Sequence, residues 1–526
     1  MSSKTRTTLE SMSTIKYRLI AEGAAVGLIT GIIVSFFRWS LLEVETYRSM
    51  VILNAAGGGL PLLAAAALLV VSFLLVYMVI RLEPMCGGSG IPNVKAELSG
   101  KMRQNWLRIL PLKIIGGVAA IGAGMSLGRE GPSVQIGAMV GKGFASVANK
   151  LRTEEKLLMT CGAGAGLAGA FSAPLAGTVF SLEELHKNFS TEVLLSSMSA
   201  AVASDFVSSY VFGLTPVFDV DVIGKLPLNR YWMVIILGLL LGALGVVYNR
   251  VLAFTQDMYA KIPNTPLRLA LPYICIVILA ILAPDILGSG HELVGKISDG
   301  DFISRTLLLM LALKFVFSMI SYGCGAPGGI FMPLLVLGAI AGGAFSEGIG
   351  AMAGFSGEFV SNFVVLGMAG MFASIIRAPI TGIILITEMT GDFNSFLPLT
   401  IVSLTAYLVA DLLGGIPVYE QLTDRMLSKG TDSGMTSAAM ARKVILESDV
   451  HHGSFIDGRE ISKMLLPKGC LVVSVQRGSS EIVPDGTTVL TGGDKLLIIC
   501  SDGDVRRVEE KLYYLCKTVR EQPDKE

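Results

Sequence analysis

The sequence predicts a polytopic, all-α membrane protein that is joined to a small cytoplasmic α+β domain. Of its 526 residues, 52% are hydrophobic and only 16% are charged, and the mean hydropathy is +0.64. A soluble protein of this length is rarely so apolar. Uncharged runs at residues 60–80 and 231–249 are also long enough to cross a bilayer as single helices. Most of the chain is therefore expected to lie in a membrane.

The chain begins with a basic segment. Lys4, Arg6, Lys16 and Arg18 come before or at the edge of the first apolar stretch, and no short apolar core with a small-residue cleavage site follows. Because basic residues tend to stay on the cytoplasmic side of a membrane, residues 1–16 are expected to be a cytoplasmic segment rather than a signal peptide.

Charge and residue types bear on the partners that the protein can have. The 42 acidic and 42 basic residues cancel, which gives no argument for a nucleic acid polymer as partner. The seven cysteines and four histidines show neither metal-ligand spacing nor a disulfide framework. We therefore expect reduced, packed cysteines, no metal site and no cofactor.

The membrane part, residues 17–428, contains an internal repeat. Two sets of residues recur at offsets of 201 and 205 positions. Two halves, about residues 17–215 and 230–428, with short segments broken by Gly and Pro, are typical of a secondary transporter whose site lies at the repeat interface. The matching alone leaves open whether the halves are parallel or inverted. The repeated residues are Pro132, Gly137, Ala138 and Gly141 with Pro333, Gly338, Ala339 and Gly342, and Ala173, Pro174, Gly177 and Glu183 with Ala378, Pro379, Gly382 and Glu388.

The end of the chain has a different character. Its last 106 positions hold 31 of the 84 charged residues, so a separate soluble domain is indicated. Strand-like runs at residues 470–476 and 495–500 are followed by a helical pattern, with turn signals between the runs. The predicted bounds are 429–439 for a linker, 440–516 for the domain and 517–526 for a tail.

Two glycine-rich motifs offer polar groups to an anion. Residues 88–92, Gly-Ser-Gly-Ile-Pro, place the Ser89 hydroxyl where a helix begins, and residues 325–333 offer N–H groups and apolar walls without a carboxylate. Free N–H groups and the positive end of a helix dipole favour an anion. The alternatives are a Gly-rich turn for the first motif and a Gly/Pro break between packed helices for the second.

Two carboxylates lie in or beside apolar segments. Glu130, within Gly-Arg-Glu-Gly-Pro at residues 128–132, is a functional candidate because an ionisable group at membrane depth is costly. Its alternative is neutralisation by the adjacent Arg129 at a helix end. Glu184 ends an apolar run, where it is either a proton entry station or a solvated helix end.

Residues 88–92, 128–132 and 329–333, in this order, resemble the three signature motifs of the CLC chloride channels and transporters. The resemblance extends to Lys113 and Tyr419. It implies the CLC fold, in which two inverted halves contain tilted and broken helices of unequal length. It also implies a homodimer in which each subunit has its own ion pathway.

The resemblance implies roles for individual residues. The hydroxyls of Ser89 and Tyr419 and the backbone N–H groups of Ile330 and Phe331 are expected to bind chloride. Glu130 is expected to be the gate, because its ionised carboxylate can occupy the outer anion position and its protonated form can leave it.

Three further expectations come from comparison with subgroups of the family. Glu184 falls where CLC exchangers commonly carry an internal proton-transfer glutamate that many channels lack, which favours an exchanger. Ser89 favours chloride, because relatives with proline at this position tend to prefer nitrate. Lys113 is expected to add positive potential near the pathway.

The end of the chain, residues 440–516, is similar to the TrkA-C domain, which is usually a dimerising, ligand-sensing module. The similarity implies regulation of transport by a small molecule that the sequence does not identify. The alternative is a structural appendage that aids dimer assembly.

The sequence therefore predicts a proton-coupled chloride antiporter that spans the plasma (inner) membrane of a prokaryote many times. Its partners are expected to be chloride, protons, the lipid bilayer and a second copy of the chain, with both termini in the cytoplasm. The alternatives are a passive, voltage- or ligand-gated chloride channel and a membrane-anchored ligand sensor. An enzyme is not expected, because no nucleophile–base pair, metal set or phosphate loop stands in a plausible site.

Overall fold

The chain divides into two compact units, Met1–Leu427 and Ser428–Glu526. The predicted linker and tail lie almost entirely outside the described residues. The computed structural model describes residues 3–55, 59–187, 189–218, 220, 226–300, 302–353, 359–430, 443–464, 466, 470–478, 480–501 and 505–518.

The first unit is helical, and its first half contains helices of very different length. Within the described residues, six helices of this unit are long and apolar enough to cross a membrane, and they include both runs predicted from the sequence. A π-helical segment, Ser181–His186, follows the shortest helix. The helices of the first half are α1 (Ser3–Ala55), α2 (Leu60–Leu82), α3 (Ile91–Leu98), α4 (Trp106–Gly122), α5 (Glu130–Val147), α6 (Arg152–Phe171), α7 (Pro174–Phe180) and α8 (Thr191–Phe212).

The second half repeats this order of long and short helices. The short helix after α10 corresponds to α3, and α13 corresponds to α5. The helices of the second half are α9 (Tyr231–Ala260), α10 (Thr265–Leu282), α11 (His291–Ser298), α12 (Ser304–Gly323), α13 (Phe331–Ala353), α14 (Val360–Ile376), α15 (Pro379–Thr390), α16 (Phe396–Leu412) and α17 (Val418–Gly430).

The two halves are related by an approximate two-fold axis. Gly128 and Gly329, 201 positions apart, exchange N–H···O bonds of 2.8 and 2.7 Å in an antiparallel bridge. Gly90 and Gly290, which precede α3 and α11, share left-handed backbone angles, with φ of 90° and 85°. Equivalent residues therefore meet each other across the axis while the chain runs in opposite directions.

The repeated glycines lie where helix backbones touch. A Cβ atom on Gly137 of α5 would lie 2.0 Å from the carbonyl oxygen of Gly162 of α6, and one on Gly338 of α13 would lie 2.3 Å from that of Gly367 of α14. Small residues at such contacts let membrane helices approach closely. The sequence repeat thus reports the same helix pair in both halves.

Two glutamates, equivalent in the repeat, cap helices of the opposite half. Glu183 of the π segment accepts hydrogen bonds from the N–H and the hydroxyl of Thr381, at 2.8 and 2.7 Å, near the start of α15. Glu388 of α15 accepts from the N–H groups of Leu175 and Ala176, at 3.0 and 2.8 Å, at the start of α7. Carboxylates are favourable at helix N-termini, so each glutamate ties its own half to the other.

Replacing either cap should weaken the contact between the halves. We expect Glu183→Gln and Glu388→Gln each to lower the stability of the folded protein by about 1 kcal/mol, because the amide keeps an acceptor but loses the charge. Thermal unfolding in detergent measures the effect. Asp299→Asn, at an exposed position after α11, serves as control. Unchanged unfolding temperatures in both cap variants would contradict the assignment.

The second unit is a four-stranded antiparallel sheet packed against one helix. The strand order is β1-β4-β2-β3, and the buried face of β4 packs with α18 residues Val508 and Leu512. The two predicted strands and the closing helix are confirmed, whereas the first strand was not predicted from its short apolar run. The elements are β1 (Lys443–Asp449), β2 (Leu471–Arg477), β3 (Ser480–Ile482), β4 (Lys495–Ser501) and α18 (Val505–Lys517).

One buried carboxylate anchors this sheet. Asp494, 1% exposed, accepts hydrogen bonds of 2.8 and 2.7 Å from Nε and Nη2 of Arg477, and one of 2.8 Å from the N–H of Thr491. The pKa of Asp494 lies below its usual range. Burial acts to raise this pKa, but the hydrogen bonds and the charge of Arg477, together with the Thr491 bonds, lower it by more.

Removal of this charge should destabilise the second unit in a pH-dependent way. We expect Asp494→Asn to cost on the order of 2 kcal/mol at neutral pH, because Arg477 loses a charged acceptor. In the wild type, the contribution of the Asp494 charge to stability is complete above about pH 4, near the pKa of this carboxyl in the unfolded chain. It is lost as the pH falls through the lower pKa of the carboxyl in the folded protein. The two proteins should therefore converge in acid. Hydrogen exchange of β4 amides in graded urea measures the difference.

Glu509→Gln provides the control for this experiment, because Glu509 is exposed on α18 of the same unit. The β4 amide hydrogens of this variant should exchange at the same rates as those of the wild type. Equal urea dependence of the wild type and Asp494→Asn at neutral pH would show that the carboxylate does not anchor the sheet.

Candidate functional site

The three sequence motifs meet at one place in the first unit. The N–H of Gly88 donates to the carbonyl of Gly325 at 3.2 Å, and the carbonyl of Gly88 accepts from Gly328 at 3.1 Å. The third motif also pairs with the second, through Gly128 and Gly329. Helices α3, α5 and α13 all begin at this junction, so N–H groups without intrahelical partners are concentrated there.

Glu130 occupies this junction. Its side chain is fully buried, and Oε1 accepts a hydrogen bond of 2.9 Å from the N–H of Met332, in the first turn of α13. Oε2 has no hydrogen-bond partner among the described residues. The carboxylate therefore caps α13 of the second half, although Glu130 itself is the first residue of α5 in the first half.

The surroundings of Glu130 explain the glycines of the motifs. A Cβ atom would lie 2.2 Å from Oε1 of Glu130 if it were added to Gly128, and 2.7 Å from it if added to Gly329. Arg129 does not form an ion pair with Glu130. Its guanidinium lies 5.8 Å from the centre of the Phe171 ring. The two charges act on each other electrostatically without an ion-pair contact among the described residues, so neutralisation of Glu130 by Arg129 stays an alternative.

Two buried hydroxyls near this junction have no partner among the described residues. Ser89 and Tyr419 are 1% and 0% exposed, and neither hydroxyl makes a hydrogen bond. Ser89 Oγ would lie 2.4 Å from a Cβ atom on Gly131, which places it beside the first turn of α5. The Tyr419 hydroxyl interacts electrostatically with the carboxylates of Glu130 and Glu184. Buried polar atoms rarely remain unpaired, so these hydroxyls indicate a position for a ligand that accepts hydrogen bonds.

Ile330 and Phe331 lie at the start of α13 and are buried. Their N–H groups are among the first of this helix, where no intrahelical acceptor exists. The Phe331 ring lies 5.7 Å from that of Phe171 and 4.7 Å from that of Phe372, between ring centres. The predicted anion ligands are thus backed by an aromatic, apolar wall.

Lys113 holds the loop that carries Ser89. Its fully buried amine donates to the carbonyls of Cys86 and Gly88, at 2.9 and 2.7 Å. The amine therefore lies next to the first motif, and its immediate contacts are backbone carbonyls.

The second half contains an equivalent lysine that the sequence reasoning missed. Lys314, 201 positions after Lys113, donates to the carbonyls of Ile286 and Gly288, both at 2.8 Å. The recurrence of Leu-Lys at the offset of the repeat was the signal that could have revealed it. The pair supports the loops before α3 and α11 in the same way.

Glu184 is buried, so the alternative of a solvated helix end is wrong. Its Oε1 lies 2.6 Å from Nζ of Lys95, and their side chains are 6% and 11% exposed. The neighbouring Glu183 has a different role, since it caps α15. Lys95 was not singled out from the sequence, because nothing local indicates that a lysine of α3 meets a carboxylate 89 positions later.

The described residues contain no group of three His, Cys, Asp or Glu side chains that could hold a metal ion. Cys86, Cys161, Cys275, Cys324 and Cys516 are free thiols. The polar groups of the site are hydroxyls, helix N-termini, one carboxylate and one amine, which together suit a monovalent anion.

Two family models match the chain. Residues 68–411 match the model described as voltage gated chloride channel, and residues 445–513 match the TrkA-C domain. The H(+)/Cl(-) exchange transporter ClcA of Yersinia pseudotuberculosis is 33% identical over 433 residues, which cover 80% of this chain and 90% of that protein. The protein of the same name from Salmonella arizonae is 34% identical over 424 residues, 78% of this chain and 89% of that protein.

Solved structures agree with the sequence relatives. A slow cyanobacterial Cl-/H+ antiporter has a TM-score of 0.74 at 32% identity, covering 78% of this chain and 98% of that chain. A CLC-type fluoride/proton antiporter has a TM-score of 0.62 at 22% identity, covering 75% and 95%, and this likeness shows the fold alone. The resemblance found in the three motifs is thereby confirmed, and the chain belongs to the voltage-gated chloride channel family, the CLC family.

Proposed function

We propose that this protein is a proton-coupled chloride antiporter of the inner membrane. The observation that carries the proposal is the position of Glu130, a buried carboxylate that caps α13 beside two unpartnered hydroxyls. A carboxylate in this place resembles the anion that the helix N-termini favour. The same position is thus occupied in turn by a bound anion and by the Glu130 carboxylate, which accepts the proton.

Exchange follows from competition for this position. Ionised Glu130 occupies the N-terminus of α13 and excludes chloride. Protonation removes its charge and weakens its hold on the Met332 N–H, so the side chain can leave. Chloride then binds to the hydroxyls of Ser89 and Tyr419 and to the N–H groups of Ile330 and Phe331. Lys113 favours the anion through its charge next to the Ser89 loop.

Glu184 is proposed as the second proton station. Its burial separates it from an ordinary solvated helix end, and ionisable groups within membrane segments commonly mark ion or proton routes, whether paired or not. Protons that reach Glu184 from one side pass to Glu130, while chloride does not use Glu184. Support also comes from the relatives, since the bacterial proteins and the cyanobacterial structure above bear names of chloride/proton exchangers.

Substitution of the two glutamates should separate the two ion flows. In liposomes with a chloride gradient and no proton gradient, the wild type should drive protons uphill. We expect Glu130→Gln to abolish proton movement, because its side chain can no longer titrate, and Glu184→Gln to abolish it while chloride flux continues. External pH and chloride are recorded together.

Other outcomes of this experiment identify the alternatives. Chloride flux without proton movement in the wild type indicates a passive channel and leaves Glu184 without a transport role. No turnover of either ion indicates a membrane-anchored sensor. Glu347→Gln on α13 is a control that changes a carboxylate outside the site, and it should transport both ions like the wild type.

Anion binding should depend on the two hydroxyls. We expect Ser89→Ala and Tyr419→Phe each to weaken chloride binding by roughly tenfold, because a hydrogen bond to a charged group contributes about 1.5–3 kcal/mol. Isothermal titration of chloride into the detergent-solubilised protein measures the affinity. Ser403→Ala is the matched control, because Ser403 has an equally buried, unpartnered hydroxyl on α16. Equal losses in all three variants would argue against a specific chloride site at these hydroxyls.

The assembly and the orientation are part of the proposal. The homodimer is the assembly that the family resemblance implies, and Leu175 and Ile380, equivalent residues near the starts of the contacting helices α7 and α15 and each 50% exposed, are its candidate contacts. The remaining exposed apolar surface faces lipid, and both termini lie in the cytoplasm. Mass measurement of the protein in nanodiscs tests the dimer.

The second unit is proposed to regulate transport, with a small molecule as its ligand and no cofactor in the transport step. The TrkA-C match supports this role. Transport by a chain that ends at Leu427 tests it. If that chain is fully assembled and transports like the full chain under all ligand conditions, the second unit does not regulate.

A further inference from the structure

The carboxylate of Glu184 lies in a buried ion pair whose partner comes from α3. Lys95 Nζ lies 2.6 Å from Glu184 Oε1, and the two side chains are 11% and 6% exposed. Among the described residues, Glu184 is the only side chain that this amine contacts through a hydrogen bond. A buried ion pair is stable only as a pair, because either charge alone would be left without compensation.

Helix α3 connects this pair to the anion site. It is eight residues long and begins at Ile91, two positions after Ser89. Lys95 lies about 6 Å along the axis from Ile91, since each residue of an α-helix rises about 1.5 Å. The loop before α3 is fixed by Lys113, and Asn93 of α3 donates to the carbonyl of Met85 at 3.2 Å. One short, anchored element therefore carries a proposed chloride ligand and the partner of a proposed proton station.

Other charged groups around Glu184 have partners of their own. Lys187, at the end of the π segment, is paired with Glu420 of α17. Both act on Glu184 electrostatically. Helix α7 carries no charged residue. The segment itself also carries Glu183, which caps α15, and His186. The other titratable groups on the helices packed against the segment are Glu97 of α3, which pairs with Lys142, Arg152, Glu154, Glu155, Lys156 and Cys161 of α6, and Glu192, Asp205 and Tyr210 of α8.

We propose that Lys95 is a positioning residue of the proton pathway, which makes the internal station a Lys95–Glu184 ion pair rather than an isolated carboxylic acid. Lys95 fixes the direction of the carboxylate and sets how readily it takes up a proton. This inference rests on the proton-coupled exchange proposed above and adds a residue and a control point to it.

The physical reason is the balance of charge in a nearly dry site. While Glu184 is ionised, Lys95 compensates it. When a proton binds to a Glu184 oxygen, the ion pair is lost and the ammonium of Lys95 remains buried without a counter-charge. Lys95 therefore opposes proton uptake and favours proton release, so that the station does not stay protonated between cycles.

The test is the pH profile of proton flux in liposomes with the same pH on both sides and a chloride gradient. Without the lysine, the protonated carboxyl is favoured, so Lys95→Met should keep its proton flux to a pH about one unit more alkaline than the wild type. Lys95→Arg restores the cation and should return the profile towards that of the wild type. Lys95→Gln, which is polar and uncharged, should show the same alkaline shift and replaces Lys95→Met if that variant folds poorly.

Two controls separate this role from a structural one. Lys101→Met removes an exposed lysine shortly after α3 and should leave the profile unchanged. In a Glu184→Gln background, Lys95→Met should have no further effect on the pH dependence of chloride flux, because the group that it acts on is absent.

The results distinguish failure of the inference from failure of the function. A Lys95→Met profile that coincides with that of a proton-transporting wild type overturns the inference alone. A loss of proton flux at every pH that Lys95→Arg does not restore also overturns it. If the wild type carries chloride without protons, the antiporter proposal is wrong and the inference falls with it.

Discussion

The site depends on how the unpaired N–H groups at the starts of helices find hydrogen-bond acceptors inside an apolar protein interior. The pairing of Gly128 with Gly329 brings the starts of α5 and α13 together, where their first N–H groups have no carbonyl to bond. Hydrocarbon cannot satisfy these groups, and leaving them unpaired costs free energy. A negatively charged or hydrogen-bond-accepting group is therefore required by the backbone itself. In this structure, Glu130 meets the requirement by accepting a hydrogen bond from the N–H of Met332. An anion from solution can take the place of the Glu130 carboxylate.

The two halves share a scaffold but differ in chemistry. Groups that hold the scaffold are repeated: Lys113 and Lys314 fix equivalent loops, and Glu183 and Glu388 cap helices of the opposite half. The charged groups of the proposed proton route are not repeated, so the symmetry of the backbone is retained while these charges are confined to one copy. At an offset of 200, which aligns Gly90 with Gly290 before α3 and α11, the counterpart of Lys95 is Gly295. At the offsets of 201 and 205, the counterparts of Glu130 and Glu184 are Phe331 and Met389.

This difference explains how much of the protein could be predicted from its sequence. Motifs and repeat offsets report local backbone requirements, so a membrane protein of two repeated halves and a small second unit could be predicted from them. That the three motifs share one site was implied by their resemblance to a known family. Glu130 was identifiable because a carboxylate between apolar segments is unusual in any context. By contrast, the cap made by Glu183, the role of Lys314 and the contact of Lys95 with Glu184 depend on partners 26 to 198 positions away. Such pairings are set by tertiary packing, and no local sequence pattern indicates them.

The distribution of groups between the halves also bears on coupling. All three charged side chains of the proposed proton route, Lys95, Glu130 and Glu184, come from the first half. The second half supplies the N–H groups of Ile330 and Phe331 and, from α17, the hydroxyl of Tyr419. Chloride binding is therefore a property of the interface between halves, whereas proton handling belongs to one half. Glu130 belongs to the first half but caps α13 of the second half, so its protonation weakens a contact across the interface where chloride binds. This is the physical link by which the movement of one ion depends on the movement of the other.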